Sequence, residues 1–247
     1  MDMDAENDGI MRTVYLKAVV DDYNGVTPSG TKHIHGCSGI DGMTFGPDFG
    51  DFKGEKYYLT VCEGIYSDHS RTDNDYQVAY QYDTDGWWDN LAKPLNQRAM
   101  HKSGPDEPRR KYFFYTGNTT YGVQNFEYDE FTGDYFACVY TGTKPQFPNY
   151  PMFVVDGSKE AVESELVGHE NGERGLVLSL KDTGKCENGV YGMTFPHGST
   201  GLYSFGDGRF FVSHHTYSEE QGHATNVHLY RLTKENGVLD FIKEEQN

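Results

Sequence analysis

Several residues stand at spacings that could carry chemistry. His33 and His35 form a His-x-His pair. On a strand this spacing puts both rings on one face, an arrangement that can hold a divalent transition metal. His197 follows Pro196, and His214 and His215 stand before Tyr217. Imidazoles from several loops could share a metal, or one could act as general base with a tyrosine as acid. Surface or packing roles compete with both readings for any single histidine. Aromatic and polar residues cluster in Trp87-Trp88-Asp89-Asn90, in Thr119-Thr120-Tyr121, and in Lys144-Pro-Gln-Phe147-Pro-Asn-Tyr150-Pro. Trp88, Phe147 and Tyr150 could form a platform on which sugars stack, the prolines stiffening the last segment. Packing of Phe147 and Tyr150 beneath their own loop competes with it. A hydrolase needs two carboxylates at a set separation; Asp41 with Glu127 or Asp129 are the candidates.

Charge and motifs narrow the field. The 247-residue chain carries a formal charge of −17, which repels nucleic acid and anionic membranes, so neither is an expected partner. The same field disfavours a polyanionic substrate unless Arg109, Arg110 or Arg209 is focused at the site. Neither G-x-x-x-x-G-K-[ST] nor a G-x-G-x-x-G after a strand occurs, so nucleotide binding lacks support. Gly201-Leu-Tyr-Ser204-Phe-Gly206 lacks the glycine two residues before serine that a nucleophile elbow needs. The four cysteines, Cys37, Cys62, Cys138 and Cys186, form no C-x-x-C; Cys62 and Cys138 read as reduced core residues. The first residues carry no signal-peptide pattern, and no apolar run is long enough to span a membrane. As written the chain is expected in the cytoplasm, or exported if an upstream segment is missing.

The elements that position these residues come from a repeat. Gly39-Ile-Asp-Gly-Met-Thr-Phe returns as Gly189-Val-Tyr-Gly-Met-Thr-Phe, with a degraded copy at Gly122-Val-Gln-Asn-Phe-Glu-Tyr. An aromatic strand follows each: Tyr57–Cys62, Tyr135–Tyr140 and Phe210–His215. Third and fourth strands follow in turn. In the second unit the fourth is expected over 175–180, after an insertion at 156–174 with a short helix near 158–167. The 19 Tyr, 15 Phe and 29 Gly favour strands and tight turns. The expected fold is all-β: a propeller of four-stranded antiparallel blades over 39–117, 122–181 and 189–242. A partial blade is expected at 1–35, with a strand from Arg12 to Val20, and a β-sandwich is the alternative. Three blades do not close a ring, so either upstream blades are missing or two copies complete it as a homodimer.

This organisation resembles bacterial β-propellers of uncharacterised activity, through Thr120-Tyr-Gly-Val-Gln-Asn-Phe-Glu-Tyr-Asp, Lys144-Pro-Gln-Phe-Pro-Asn-Tyr-Pro and Gly201-Leu-Tyr-Ser-Phe-Gly-Asp-Gly-Arg-Phe-Phe-Val-Ser-His. The resemblance covers about residues 35–232, implies the propeller fold and brings no catalytic residue with it. On a propeller the ligand site is the mouth of the central channel. The variable position of the repeated phrase, Asp41, Gln124 and Tyr191, would line that mouth with Tyr121 and His197. The function expected is binding of a carbohydrate-related ligand or small molecule there. The alternatives are a polysaccharide lyase or glycoside hydrolase using His, Tyr or Asp at the mouth, and a protein-interaction scaffold.

Overall fold

The computed structural model describes residues 11–32, 36–65, 67–96, 98–220 and 222–245. It is mostly β, 44% strand and 6% helix, about twice the strand content of an average globular protein. The histidine pair His33 and His35, and residues 1–10 of the expected partial blade, lie outside the described residues.

Three sheets, antiparallel but for one parallel pair at the edge of the first, are stacked in chain order, and they do not close on themselves. The first sheet is a meander of Gly36–Gly46, Tyr58–Ile65, Tyr76–Tyr82 and Arg110–Tyr115, each strand paired with its predecessor. The second contains Val123–Asp129, Asp134–Val139 and Met152–Val155. The third contains Leu202–Ser204, Arg209–Ser218, Gly222–Glu235 and Val238–Lys243. Alternation of side chains across each strand gives the middle sheet two buried faces. Tyr135, Ala137 and Phe153 face Cys62, Ala79 and Phe114 of the first sheet. Phe136, Cys138 and Met152 face Phe210, Val212 and Tyr230 of the third.

Three segments depart from the sequence reading. Arg12–Val20 is not a strand: only Arg12–Thr13 pairs, with Lys93–Pro94, and helix α1 spans Lys17–Tyr23. A Lys17–Asp21 ion pair one turn apart supports α1, and Val19 buries against the outer face of the first sheet with Val61, Val78 and Tyr80. Residues 158–167 are not helical; Val162–Glu165 forms a hairpin with Arg174–Val177, which runs parallel to Arg110–Tyr115 at the edge of the first sheet. The chain reaches the second sheet only after that hairpin, at residues 179–181: Leu180 bridges Val155, the Asp156 N–H donates to the Ser179 carbonyl, and the Lys181 N–H donates to the Val154 carbonyl.

The third departure bears on the site. Residues 189–195 are not the inner strand of the third sheet. Val190–Tyr191 pairs with Cys186–Glu187, and Met193 bridges Met152 along the outer edge of the second sheet. The letters match because both phrases meet the same demand for close approach. A Cβ on Gly42 would lie 2.9 Å from Val123 Cγ1, and one on Gly192 would lie 2.3 Å from the Tyr150 ring. The third inner strand is Leu202–Ser204.

Candidate functional site

A second repeat, weaker in letters, appears in the backbone and its hydrogen bonds. Gly39, Gly122 and Gly198 have φ of +107°, +82° and +107°, a conformation that favours glycine. A Cβ on Gly122 would lie 2.8 Å from the Glu63 carbonyl oxygen, and one on Gly198 would lie 2.7 Å from Cys138 Sγ. Each therefore packs on the second strand of the preceding sheet. Gly39, with no sheet preceding it among the described residues, faces open space. Five residues after the first two glycines, a side chain hooks the next inner strand. The Tyr128 N–H donates to Thr44 Oγ1 at 3.2 Å, and the Ser204 N–H donates to Glu127 Oε1 at 2.7 Å. Asn125 Nδ2 donates to the Gly198 and Ser199 carbonyls at 2.7 and 2.8 Å.

In this register the position two residues after each glycine holds Asp41, Gln124 and Thr200. Tyr191 belongs to the hairpin at the edge of the second sheet and is not equivalent to them. The residues just before the glycines are Ser38, Tyr121 and His197, so Tyr121 and His197 hold corresponding places. Tyr121 is exposed and meets the exposed Tyr140 edge to face, centroids 6.1 Å apart. Gln124 Nε2 donates to the Tyr121 carbonyl at 3.2 Å. The starts of the three inner strands thus carry a carboxylate, an amide and a hydroxyl at one repeat position; the pair of tyrosines stands beside the amide, and the Thr200 hydroxyl lies 2.9 Å from Ser213 Oγ.

The proposed platform of Trp88, Phe147 and Tyr150 does not assemble. Tyr150 is buried in the core between the first two sheets, and Phe147 packs at its margin on Tyr115. Their loop is anchored by buried Lys144, whose Nζ donates to Asp75 at 2.6 Å, Asn74 Oδ1 at 2.8 Å and the Arg71 carbonyl at 2.6 Å. Trp88 is exposed beneath the Arg12 guanidinium, 4.9 Å from its ring centroid. The hydrolase carboxylates are occupied structurally. Glu127 is the hook described above, and burial raises its pKa. Buried Asp129 accepts from the Thr132 N–H and hydroxyl and from the Ser204 hydroxyl.

The histidines of the third sheet do converge. His197 and His214 stack with centroids 3.5 Å apart, and His228 meets His214 edge-on at 4.5 Å. The Tyr230 hydroxyl lies 3.0 Å from His214 Nε2. Burial and the neighbouring imidazoles push His214 down to about 4 and lower His197. The parallel rings of His197 and His214 do not converge their nitrogens on one point. Among the described residues, no three His, Cys, Asp or Glu side chains form a metal-binding group.

One cluster escaped the sequence reading. Glu63, buried on the second strand of the first sheet, lies 3.2 Å from the Tyr80 hydroxyl. That hydroxyl donates to Asp22 of α1 at 2.5 Å, and Lys111 Nζ donates to the same carboxylate oxygen at 2.6 Å. Tyr80 has one proton to give, and Asp22 receives it. Burial, with Asp22 nearby, raises Glu63 to about 8, so it keeps its own proton at neutral pH. The visible signal was a glutamate inside Tyr-Leu-Thr-Val-Cys-Glu, a charge in a buried strand that needs a partner. Its partner Asp22 lies 41 residues away, on a helix the pattern did not reveal.

In comparisons with known proteins, no family description, curated protein or solved structure matches the chain. Its class therefore rests on its own architecture, an all-β stack of antiparallel sheets. Among the described residues no helix is long and apolar enough to cross a membrane.

Proposed function

We propose that the chain is a ligand-binding arc of β-propeller blades whose site is the cluster at the starts of the inner strands, with a neutral carbohydrate as ligand. One observation carries the reading: Asp41, Gln124 and Thr200 recur at one backbone position, and the exposed tyrosines Tyr121 and Tyr140 stand beside the second of them. Aromatic faces stack on the apolar faces of sugar rings, and the polar set supplies acceptors and donors for hydroxyls. The propeller reading is supported by the sheet-to-sheet step, which repeats with the same glycine and the same hook. The charge of −17 favours uncharged glycans over polyanions. A binding role fits better than hydrolysis because Glu127 and Asp129 are committed to the backbone and turn beside them.

Calorimetric titration with neutral oligosaccharides tests this. Binding should weaken about tenfold in Tyr121→Ala, equivalent to about 1.4 kcal/mol, and further in Asp41→Ala with Gln124→Ala. Absence of binding by any neutral glycan at millimolar concentration would overturn the ligand class.

A further inference from the structure

The outer face of the third sheet corresponds to faces that are buried elsewhere in the stack. In the first sheet the positions facing forward, Thr44 and Cys62 among them, contact the second sheet. In the second, Glu127, Phe136 and Cys138 contact the third. In the third, the corresponding face carries Tyr203, Phe205 and Phe211, with Val227 and Ile242 beside them, and all are exposed. Their rings already touch one another, Phe205 lying 5.5 Å from Tyr203 and 4.7 Å from Phe211. Three adjacent exposed aromatics on one sheet face mark an interaction surface rather than scattered surface residues.

The opposite end of the stack offers the complement. In the hydrogen-bond register above, Met43, Phe126 and Leu202 are equivalent, and each points backward. Phe126 is 2% exposed and Leu202 8%, because a preceding sheet covers them; Met43 is 62% exposed. Ile40 and Phe45 on the same strand are also exposed. Helix α1 covers the first sheet over Val61, Val78 and Tyr80, and among the described residues Met43 and Phe45 of the inner strand stay exposed beside it.

We infer that the aromatic face of the third sheet docks the inner-strand strip of the first sheet of a second copy, head to tail, repeating the step that already joins the three sheets. Such a contact is heterologous, and it closes into a pair when the step is repeated from the second copy back to the first. Two copies contribute six sheets, within the range of closed propellers. Closure into a ring rests on the propeller reading above; the contact itself rests on the observed stack alone. Because each copy carries −17, association should strengthen as salt screens the repulsion.

Light scattering on a sizing column, run at several protein and salt concentrations, tests the contact. The wild-type chain should run at twice 28.0 kDa, and Phe211→Arg and Met43→Arg should each fall to the single-chain mass. An equimolar mixture of the two variants should recover the dimer, since one intact aromatic face then meets one intact strip. Circular dichroism confirms that each variant is folded; if Phe211→Arg is not, Tyr203→Lys on the same face replaces it. A wild-type chain that stays monomeric throughout overturns the inference. So does a Met43→Arg chain that still dimerises while Phe211→Arg does not, which would mean two third sheets facing each other. Glycan binding is measured separately, so a dimer without it rejects the ligand and keeps the contact.

Discussion

The two ends of the stack are built differently from the same repeat. At the first sheet, α1 lies across the outer face, and its Asp22 is held through Tyr80 and Lys111 above a buried glutamic acid. At the third sheet the outer face is bare and aromatic, and the titratable groups, His197, His214 and His228, sit together near the end of the inner strand. One end is sealed by a helix tied down through Tyr80 and Lys111; the other presents its rings to solvent. The difference separates positions that hold the fold from positions free to do something else.

The sharpest way to break that comparison is at equivalent forward-facing phenylalanines. Phe136 in the second sheet is fully buried, and Phe211 in the third is 41% exposed. Phe136→Ala should destabilise the chain by about 3–5 kcal/mol, as large core truncations do. Phe211→Ala should change monomer stability by only about 0.5 kcal/mol, the usual surface effect. Urea unfolding of the two variants decides it; equal losses would mean that the outer face is already packed.

Much of this was legible in the sequence, for physical reasons that also explain the failures. The first sheet could be read because its second to fourth meander strands are rich in β-branched and aromatic residues and pair in chain order, so local pattern and tertiary pairing agree even across the long connection at 83–109. The third inner strand could not, because Gly198-Ser-Thr-Gly-Leu-Tyr-Ser shares only its two glycines with Gly39-Ile-Asp-Gly-Met-Thr-Phe. The hook it receives comes from Glu127 of another sheet, and no local pattern records that. The better letter match at 189–195 answered a packing demand at Gly192 instead. Arg12–Val20 read as a strand because its β-branched residues dominate, and burial of Val19 against the first sheet overrode that preference. The acid cluster joins three strands and a helix, so its geometry follows only from the fold.

A second prediction sharpens the contrast through pH. Glu63 keeps its proton in the folded chain to about 8, whereas an unfolded glutamate loses it near ~4.3. Between those values the folded state binds more protons than the unfolded one, so stability falls as pH rises. Asp75, Asp134 and Glu127 are also raised and push in the same direction, so the informative quantity is the difference from Glu63→Gln. That variant keeps the shape without the titration. Its melting temperature should fall less than that of the wild type between pH 5 and pH 8, each kcal/mol corresponding to roughly 2–4 °C. Parallel curves would show that Glu63 is not the group titrating beneath α1.

The smallest expected effect lies at the other end and has the opposite sign. His214 is neutral in the fold because burial and the His197 and His228 rings oppose a second charge there, and its pKa sits at about 4. In the unfolded chain it takes a proton near ~6.5. Within that window the unfolded state binds more protons, so acidification from neutral pH costs stability, and the contribution is fully present only above the unfolded value. Partial exposure of the ring screens the effect, so it should be smaller than the Glu63 contribution. His214→Gln should lose part of the decline in urea midpoint between pH 7 and pH 5 while leaving the alkaline side unchanged. Glu63→Gln should act with the opposite sign over a wider window, flattening the loss of stability with rising pH across the whole interval from pH 5 to pH 8. If the pH profile of the double variant departed from the sum of the two single ones, the two ends would be coupled through the middle sheet, whose Phe136 and Cys138 face the third sheet while Tyr135 and Ala137 face the first. Additive profiles would instead mean that each end of the stack titrates as a separate surface on a rigid core.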